Sequence, residues 1–187
     1  QFCGGESVGE CTPQIARLSE GRVGAILDYS VEGKAQEEDF DRTLATTIET
    51  LEYAQNNADV PFGVFKPTGL GSIDIYEKVS LGNPLTQEEQ KSWDNTLERW
   101  RRIIEKANEL GVPVMVDAEE SWIQPDVDDL AIQYMRTYNQ GNAIVYNTAQ
   151  LYRHDRLAQL TNALELAKKE GFIYAVKIVR GAYMEKE

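Results

Sequence analysis

The sequence predicts an α/β fold, a partial (βα)8 TIM-type barrel of about five parallel strands and four helices. Two observations lead there. Apolar stripes at helical spacing alternate with short apolar, β-rich runs, in the order β-α-β-α-β-α-β-α-β. Each of those runs also ends on a polar residue, and the C-terminal strand ends are where such barrels gather their working groups.

The helices come first in clarity. Phe40, Leu44, Ile48 and Leu51 form one stripe, and Trp93, Leu97, Trp100, Ile104 and Ala107 a second. Residues 126–138 repeat the pattern more weakly through Ala131, Met135 and Tyr138, and Leu157, Leu160, Leu164 and Ala167 complete the set. Spacings of three and four put each group on one face, which must be buried against another layer. Thr86 followed by Glu89 is a capping box, able to satisfy the free N–H groups that open the second helix. Gly111 and Gly171 each follow a helical run and precede a strand, the place for a left-handed helix cap.

The strands are expected at residues 23–27, 62–65, 112–116, 143–146 and 173–179. They are continuously apolar rather than alternating, as parallel strands covered on both faces are. Repeated βα units could build an open doubly wound sheet instead. That fold places a glycine-rich fingerprint after its first strand, whereas here Asp28-Tyr29-Ser30-Val31-Glu32-Gly33 follows. The polar strand ends, Asp28, Lys66, Asp117, Asn147 and the pair Lys177 and Arg180, favour the barrel. A complete barrel takes about 250 residues. Residues 1–187 are therefore expected to be one catalytic barrel domain, cut before its last three βα units and needing the remainder or a partner to cover its open edges.

Composition bounds the function. A fraction of 42% hydrophobic and 27% charged residues is that of a globular chain, and no apolar run is long enough to span a bilayer. A net charge of −12 argues against nucleic acid or an anionic membrane as the main partner, since phosphate binding needs clustered cations. The two cysteines, Cys3 and Cys11, match no metal spacing; reduced thiols are expected, with a single disulfide left open.

Against that acidic background the strand ends carry three cations, Lys66, Lys177 and Arg180, and two carboxylates, Asp28 and Asp117. Such a mouth would draw a small anionic substrate and stabilise negative charge on a cofactor ring. Lys177 interrupts the apolar run Tyr174-Ala175-Val176-Lys177-Ile178-Val179, so it must be paired or reach the barrel mouth. Asp117-Ala118-Glu119-Glu120 holds three acids in four residues, but one histidine in the whole chain gives a metal centre little to build on, and none is expected. His154 reads as a cap or ion-pair partner, and Pro67-Thr68-Gly69-Leu70-Gly71 as a turn rather than a phosphate loop. No serine or cysteine stands in a nucleophile arrangement.

Taken in order, Val64-Phe65-Lys66-Pro67-Thr68-Gly69, Val116-Asp117-Ala118-Glu119-Glu120, Tyr146-Asn147-Thr148 with Gln150, and Val179-Arg180-Gly181-Ala182-Tyr183 resemble proline dehydrogenase. The opening Leu27-Asp28-Tyr29-Ser30-Val31-Glu32-Gly33 is similar to its monofunctional branch, found in some bacteria and in eukaryotic mitochondria. The resemblance implies a distorted barrel holding FAD, which takes a hydride from C5 of L-proline to give pyrroline-5-carboxylate and passes electrons to a membrane quinone. It implies that Asp117 and Lys177 are catalytic, with Lys177 standing where many members have arginine. Lys66 and Tyr183 would bind substrate, and Ala118, Asn147, Arg180, Gly181 and Ala182 would contact the flavin. Ala149 departs from the tyrosine usual in that branch, and the paired arginines that clamp the proline carboxylate would lie in a helix beyond residue 187.

The resemblance further implies a cytoplasmic protein, peripheral to the inner membrane through its missing parts, or one at the mitochondrial inner membrane or in the matrix. The isolated segment would hold FAD weakly and turn over little. The competing readings are a metal-assisted lyase or aldolase barrel using Asp117 and Glu119, and a non-catalytic barrel fragment.

Overall fold

The computed structural model describes residues 4–29, 36–183 and 185. Cys3 and positions 30–33 of the opening motif lie outside the described residues. Along the chain run α1 (Val8–Glu20), α2 (Glu37–Gln55), β1 (Gly63–Phe65), α3 (Ile73–Ser80), α4 (Gln87–Leu110), β2 (Val114–Val116), α5 (Gln124–Tyr138), β3 (Val145–Gln150), α6 (Arg156–Glu170) and β4 (Val176–Val179). All four strands are parallel, and their order in the sheet is their order in the sequence. A doubly wound sheet reverses direction at a switch point; this one advances by one strand at a time, as a barrel does. The fold is α/β, an arc of a (βα)8 barrel.

The stripes of α2, α4 and α5 become buried faces of helices, whereas in α6 Leu157 and Leu164 are 78% and 45% exposed and the buried side is Arg156, Ala163 and Ala167. In α4, Trp93, Trp100, Ile104 and Ala107 are buried, and the expected capping box forms, with Thr86 and Glu89 satisfying each other's backbone N–H groups. Gly111 and Gly171 take φ of 67° and 82°, the left-handed cap that a side chain would strain. Trp100 anchors the layer between helices and sheet. It is fully buried, donates to the Tyr76 hydroxyl at 2.6 Å and meets Phe65 edge-on at 4.9 Å. Truncating such a residue to alanine costs about 3–5 kcal/mol.

Other expectations need adjusting as well. The strand expected at residues 173–179 forms only over Val176–Val179. Residues 23–27 form only an isolated parallel bridge, Ile26 to Phe62, because this segment lies at the sheet edge with Val23 and Ile26 half exposed. Two helices were not expected, α1 and α3; Pro13 interrupts the pattern of the first, and the second is only eight residues long. Finally, β3 does not stop at Asn147 but runs on to Gln150, paired with β4 through Asn147↔Val176, Thr148↔Lys177, Ala149↔Ile178 and Gln150↔Val179. Asn147 is therefore inside a strand rather than at its end.

Candidate active site

Side chains alternate across a strand, and the register sorts them. Val64, Met115 and Tyr146 stand abreast on one face, as do Thr148 and Lys177 further along. Lys66 and Asp117 continue that face one step past the ends of β1 and β2, with the Asp117 N–H donating to the Phe65 carbonyl at 3.0 Å. The opposite face, with Phe65, Val116, Asn147 and Ala149, is buried under the helices. The row Lys66, Asp117, Thr148, Lys177 thus crosses the C-terminal edge of the sheet on its inner side.

The charges in that row alternate and pair. Asp28, beyond the bridge at Ile26, accepts a hydrogen bond from Lys66 Nζ. Lys66 Nζ also lies 3.5 Å from Asp117 Oδ2, while Asp117 Oδ1 accepts from Lys177 Nζ. Burial by itself would lower the Lys66 ammonium, but the hydrogen bond and charge of Asp28, with Asp117 and Glu119 behind it, raise it above the usual lysine range. Lys66 therefore keeps its positive charge throughout the physiological range. The side chains of Lys66, Asp117 and Lys177 are 22–26% exposed, screened enough to strengthen their pairing yet open to a ligand.

They line a cavity of about 390 Å³ together with Ala118, Thr148, Gln150, Val179, Arg180, Gly181, Ala182 and Tyr183. The segment after β4 is held in place by backbone bonds from Leu151 N–H to Val179 O at 2.9 Å and from Tyr152 N–H to Arg180 O at 3.2 Å. Gly181 has φ 106°, and a Cβ there would sit 2.2 Å from the Tyr152 ring, so only glycine fits. Of the residues singled out in the sequence, Lys66, Asp117, Ala118, Lys177, Arg180, Gly181, Ala182 and Tyr183 meet in this cavity. Asn147 does not join them. It faces the helices, where its Nδ2 donates to Asp128 Oδ1 at 2.7 Å and its Oδ1 accepts the Thr148 N–H at 2.8 Å.

Sequence reasoning missed Thr148, Gln150 and Val179 as lining residues. Extending the strand past Asn147 and applying its two-residue period would have put Thr148 and Gln150 on the inner face beside Tyr146. It also treated Glu119 only as a metal ligand. That carboxylate instead accepts from the backbone N–H and hydroxyl of Thr68, at 2.9 and 2.7 Å. Burial pushes the Glu119 carboxyl up, with the two Thr68 bonds pulling the other way. Among the described residues, no three His, Cys, Asp or Glu side chains converge as metal ligands, and no helix is long and apolar enough to cross a membrane.

The donor set fits a flat, electron-accepting ring. Three cations, Lys66, Lys177 and Arg180, line the cavity, and Ala118, Gly181 and Ala182 put little or no side chain on their part of its wall. Comparison with known proteins bears on the family and the fold. The chain is 36% identical over 186 residues to the carbapenem antibiotics biosynthesis protein CarD of Pectobacterium carotovorum subsp. carotovorum, across 100% of this chain and 50% of that protein. It is 30% identical over 226 aligned positions to mitochondrial proline dehydrogenase 1 of Dictyostelium discoideum, across 100% of this chain and 40% of that one. The chain thus spans half or less of the length of these curated relatives. In fold, it superposes with a TM-score of 0.82 at 18% identity on proline utilization A (PutA) from Bdellovibrio bacteriovorus inactivated by N-propargylglycine, covering 100% of this chain and 20% of that one. The sequence profile of the proline dehydrogenase family matches residues 11–187. The chain belongs to the proline dehydrogenase family.

Proposed function

We propose that the protein oxidises L-proline to pyrroline-5-carboxylate, with FAD as hydride acceptor and a membrane quinone receiving the electrons. The observation that carries the reading is the paired row Lys66, Asp117 and Lys177, set into one cavity with Arg180, Gly181, Ala182 and Tyr183. Ala118, Lys177, Arg180, Gly181 and Ala182 would hold the flavin. When bound, FAD would accept the hydride that leaves C5, which carries both electrons of the oxidation.

The chain's own residues supply charge and orientation. Lys66, held cationic by Asp28, receives the substrate carboxylate. Asp117 sits between Lys66 and Lys177 and sets the charge state of the substrate amine, which must be neutral before C5 can release a hydride. It also holds Lys177 so that the ammonium, with Arg180, supports negative charge developing on the acceptor. Tyr183 walls the substrate side and keeps the ring of proline from rotating away, so orientation is fixed before reaction. Asn147 is committed to Asp128 and is assigned no contact here.

The quinone, peripheral membrane association and a mitochondrial or bacterial inner-membrane setting extend the same reading. The mitochondrial name of the Dictyostelium relative supports the last of these. Residues 1–187 alone should bind FAD weakly and turn over little, since the matched relatives are at least twice as long. The full-length protein tests the whole reading. It should show visible flavin absorbance that L-proline bleaches without oxygen and a quinone restores. A colourless enzyme that needs a divalent metal would replace this reading with the lyase alternative.

A further inference from the structure

Glu119 bears on the chemistry above only as a charge behind Lys66, yet it is 5% exposed and ties together the ends of three strands. Its two carboxylate oxygens take the N–H and the hydroxyl of Thr68, which follows β1, while its own carbonyl accepts from Gln150 Nε2 at 2.6 Å, at the end of β3. Thr68 is the centre of the tight 3-10 turn Pro67–Gly69 that begins directly after Lys66. In that turn the Gly69 N–H donates back to the Lys66 carbonyl at 3.0 Å, so Lys66 moves when the turn moves.

The far side of the turn is fixed independently. The Leu70 carbonyl accepts from Arg99 Nη1 at 3.1 Å, and Gly71 lies so close to α4 that a Cβ would meet Thr96 at 2.2 Å. Its near side rests on Glu119. A carboxylate that gives both oxygens to one residue defines position as well as orientation, as a single hydrogen bond does not.

We propose that Glu119 is a positioning residue that locks the Lys66–Gly69 turn to the ends of β2 and β3, and so sets where the Lys66 ammonium meets the substrate carboxylate. The inference rests on the proline-oxidising reading of the site. It assigns Glu119 a role in substrate affinity that passes through Lys66, distinct from general support of the fold.

The test uses the full-length protein and its Glu119→Gln, Thr68→Val and Lys66→Met variants. Glutamine keeps size and one acceptor oxygen but offers N–H where Thr68 also has N–H. The expected result for Glu119→Gln is a rise of about tenfold in KM for L-proline with kcat changed less than about twofold, the sign of lost ground-state binding. Its inhibition constant for cyclopentanecarboxylate, which keeps ring and carboxylate but has no C–N bond to oxidise, should rise by the same factor. Thr68→Val, which loses only the hydroxyl bond, should move both constants the same way by about threefold and stands in should Glu119→Gln not fold. In the Lys66→Met background, neither change should lower kcat/KM further, because the lysine they position is gone. Unchanged KM, or an equal loss of kcat/KM with and without Lys66, overturns the inference. Wild-type protein that fails to oxidise proline would instead overturn the functional reading on which it rests.

Discussion

The inner and outer faces of the same strands carry similar residue types put to opposite uses. On the outer face Asn147 and Gln124 both donate to Asp128, at 2.7 and 2.8 Å, and Asp128 pairs with Arg156 at 2.8 Å. Asp128 and Arg156 are 6% and 5% exposed, so this cluster is closed between α5, α6 and β3. On the inner face Lys66, Asp117 and Lys177 are also paired, but about a quarter exposed and open to a cavity. With Asp28 and Arg180 included, the inner group holds three cations against two carboxylates. Ion pairing is common to both faces and diagnoses neither. Enclosure marks the structural cluster, whereas partial exposure and a surplus of charge mark the one we propose receives a ligand.

That contrast can be broken by substitution. The largest effect should come from Asp128→Ala, which leaves the buried Arg156 Nη1 with no carboxylate and strips Asn147 and Gln124 of their buried acceptor. Among the described residues, the only ion-pair partner then left to Arg156 is the half-exposed Asp155. A loss of about 3–5 kcal/mol in urea unfolding is expected, with the rate per folded molecule unchanged. A lost rate in a well-folded variant would move the outer cluster into the site. Next comes Lys66→Met, for which kcat/KM for L-proline should fall on the order of a hundredfold. Its unfolding free energy should shift by less than about 1 kcal/mol, as expected of a partly exposed pair.

Asp28→Asn keeps Lys66 in place but removes the charge facing it. A KM increase of about threefold to tenfold is expected, with thermal stability nearly unaltered; no change in KM would take Asp28 out of the site. The smallest effect is a pH dependence away from the cavity. Burial, with the nearby charge of Asp129 adding to it, pushes the Asp126 carboxyl up from 3.8 to about 7. The native state then holds a proton that the unfolded chain has released across that window, so stability falls as pH rises from about 4 to 7. Asp126→Asn should flatten that part of the stability–pH curve, measured by urea unfolding, and an unaltered slope would deny the shift.

Much of this was legible in the sequence because it rests on local signals. The stripes through Trp93 and Trp100, the Thr86 capping box and the glycines at 111 and 171 each have a local physical cause, and each forms as expected. The gathering of polar residues at the C-terminal edge was legible too, since polar residues that end apolar strands have few other places to go. Less legible was whatever depends on pairing partners. The length of β3 is set by its register with β4, so the end assigned at Asn147 came three residues early and hid Thr148 and Gln150. The bond between Glu119 and Thr68 spans 51 positions and leaves no periodic trace. The helix α1 carries Val8, Cys11, Ile15 and Leu18 at helical spacing, but Pro13 within it masked the pattern.

On the proposed reading the inner row, with Asp117 at its middle, does chemistry rather than holding the fold. The most direct test is Asp117→Ala in the full-length protein, comparing proline-dependent flavin reduction per folded molecule with the thermal midpoint. A fall in rate on the order of a hundredfold or more, with the midpoint within about 4 °C of wild type, is the result expected here. A variant that unfolds as readily as it loses activity, or that reduces its flavin at the wild-type rate, would contradict it.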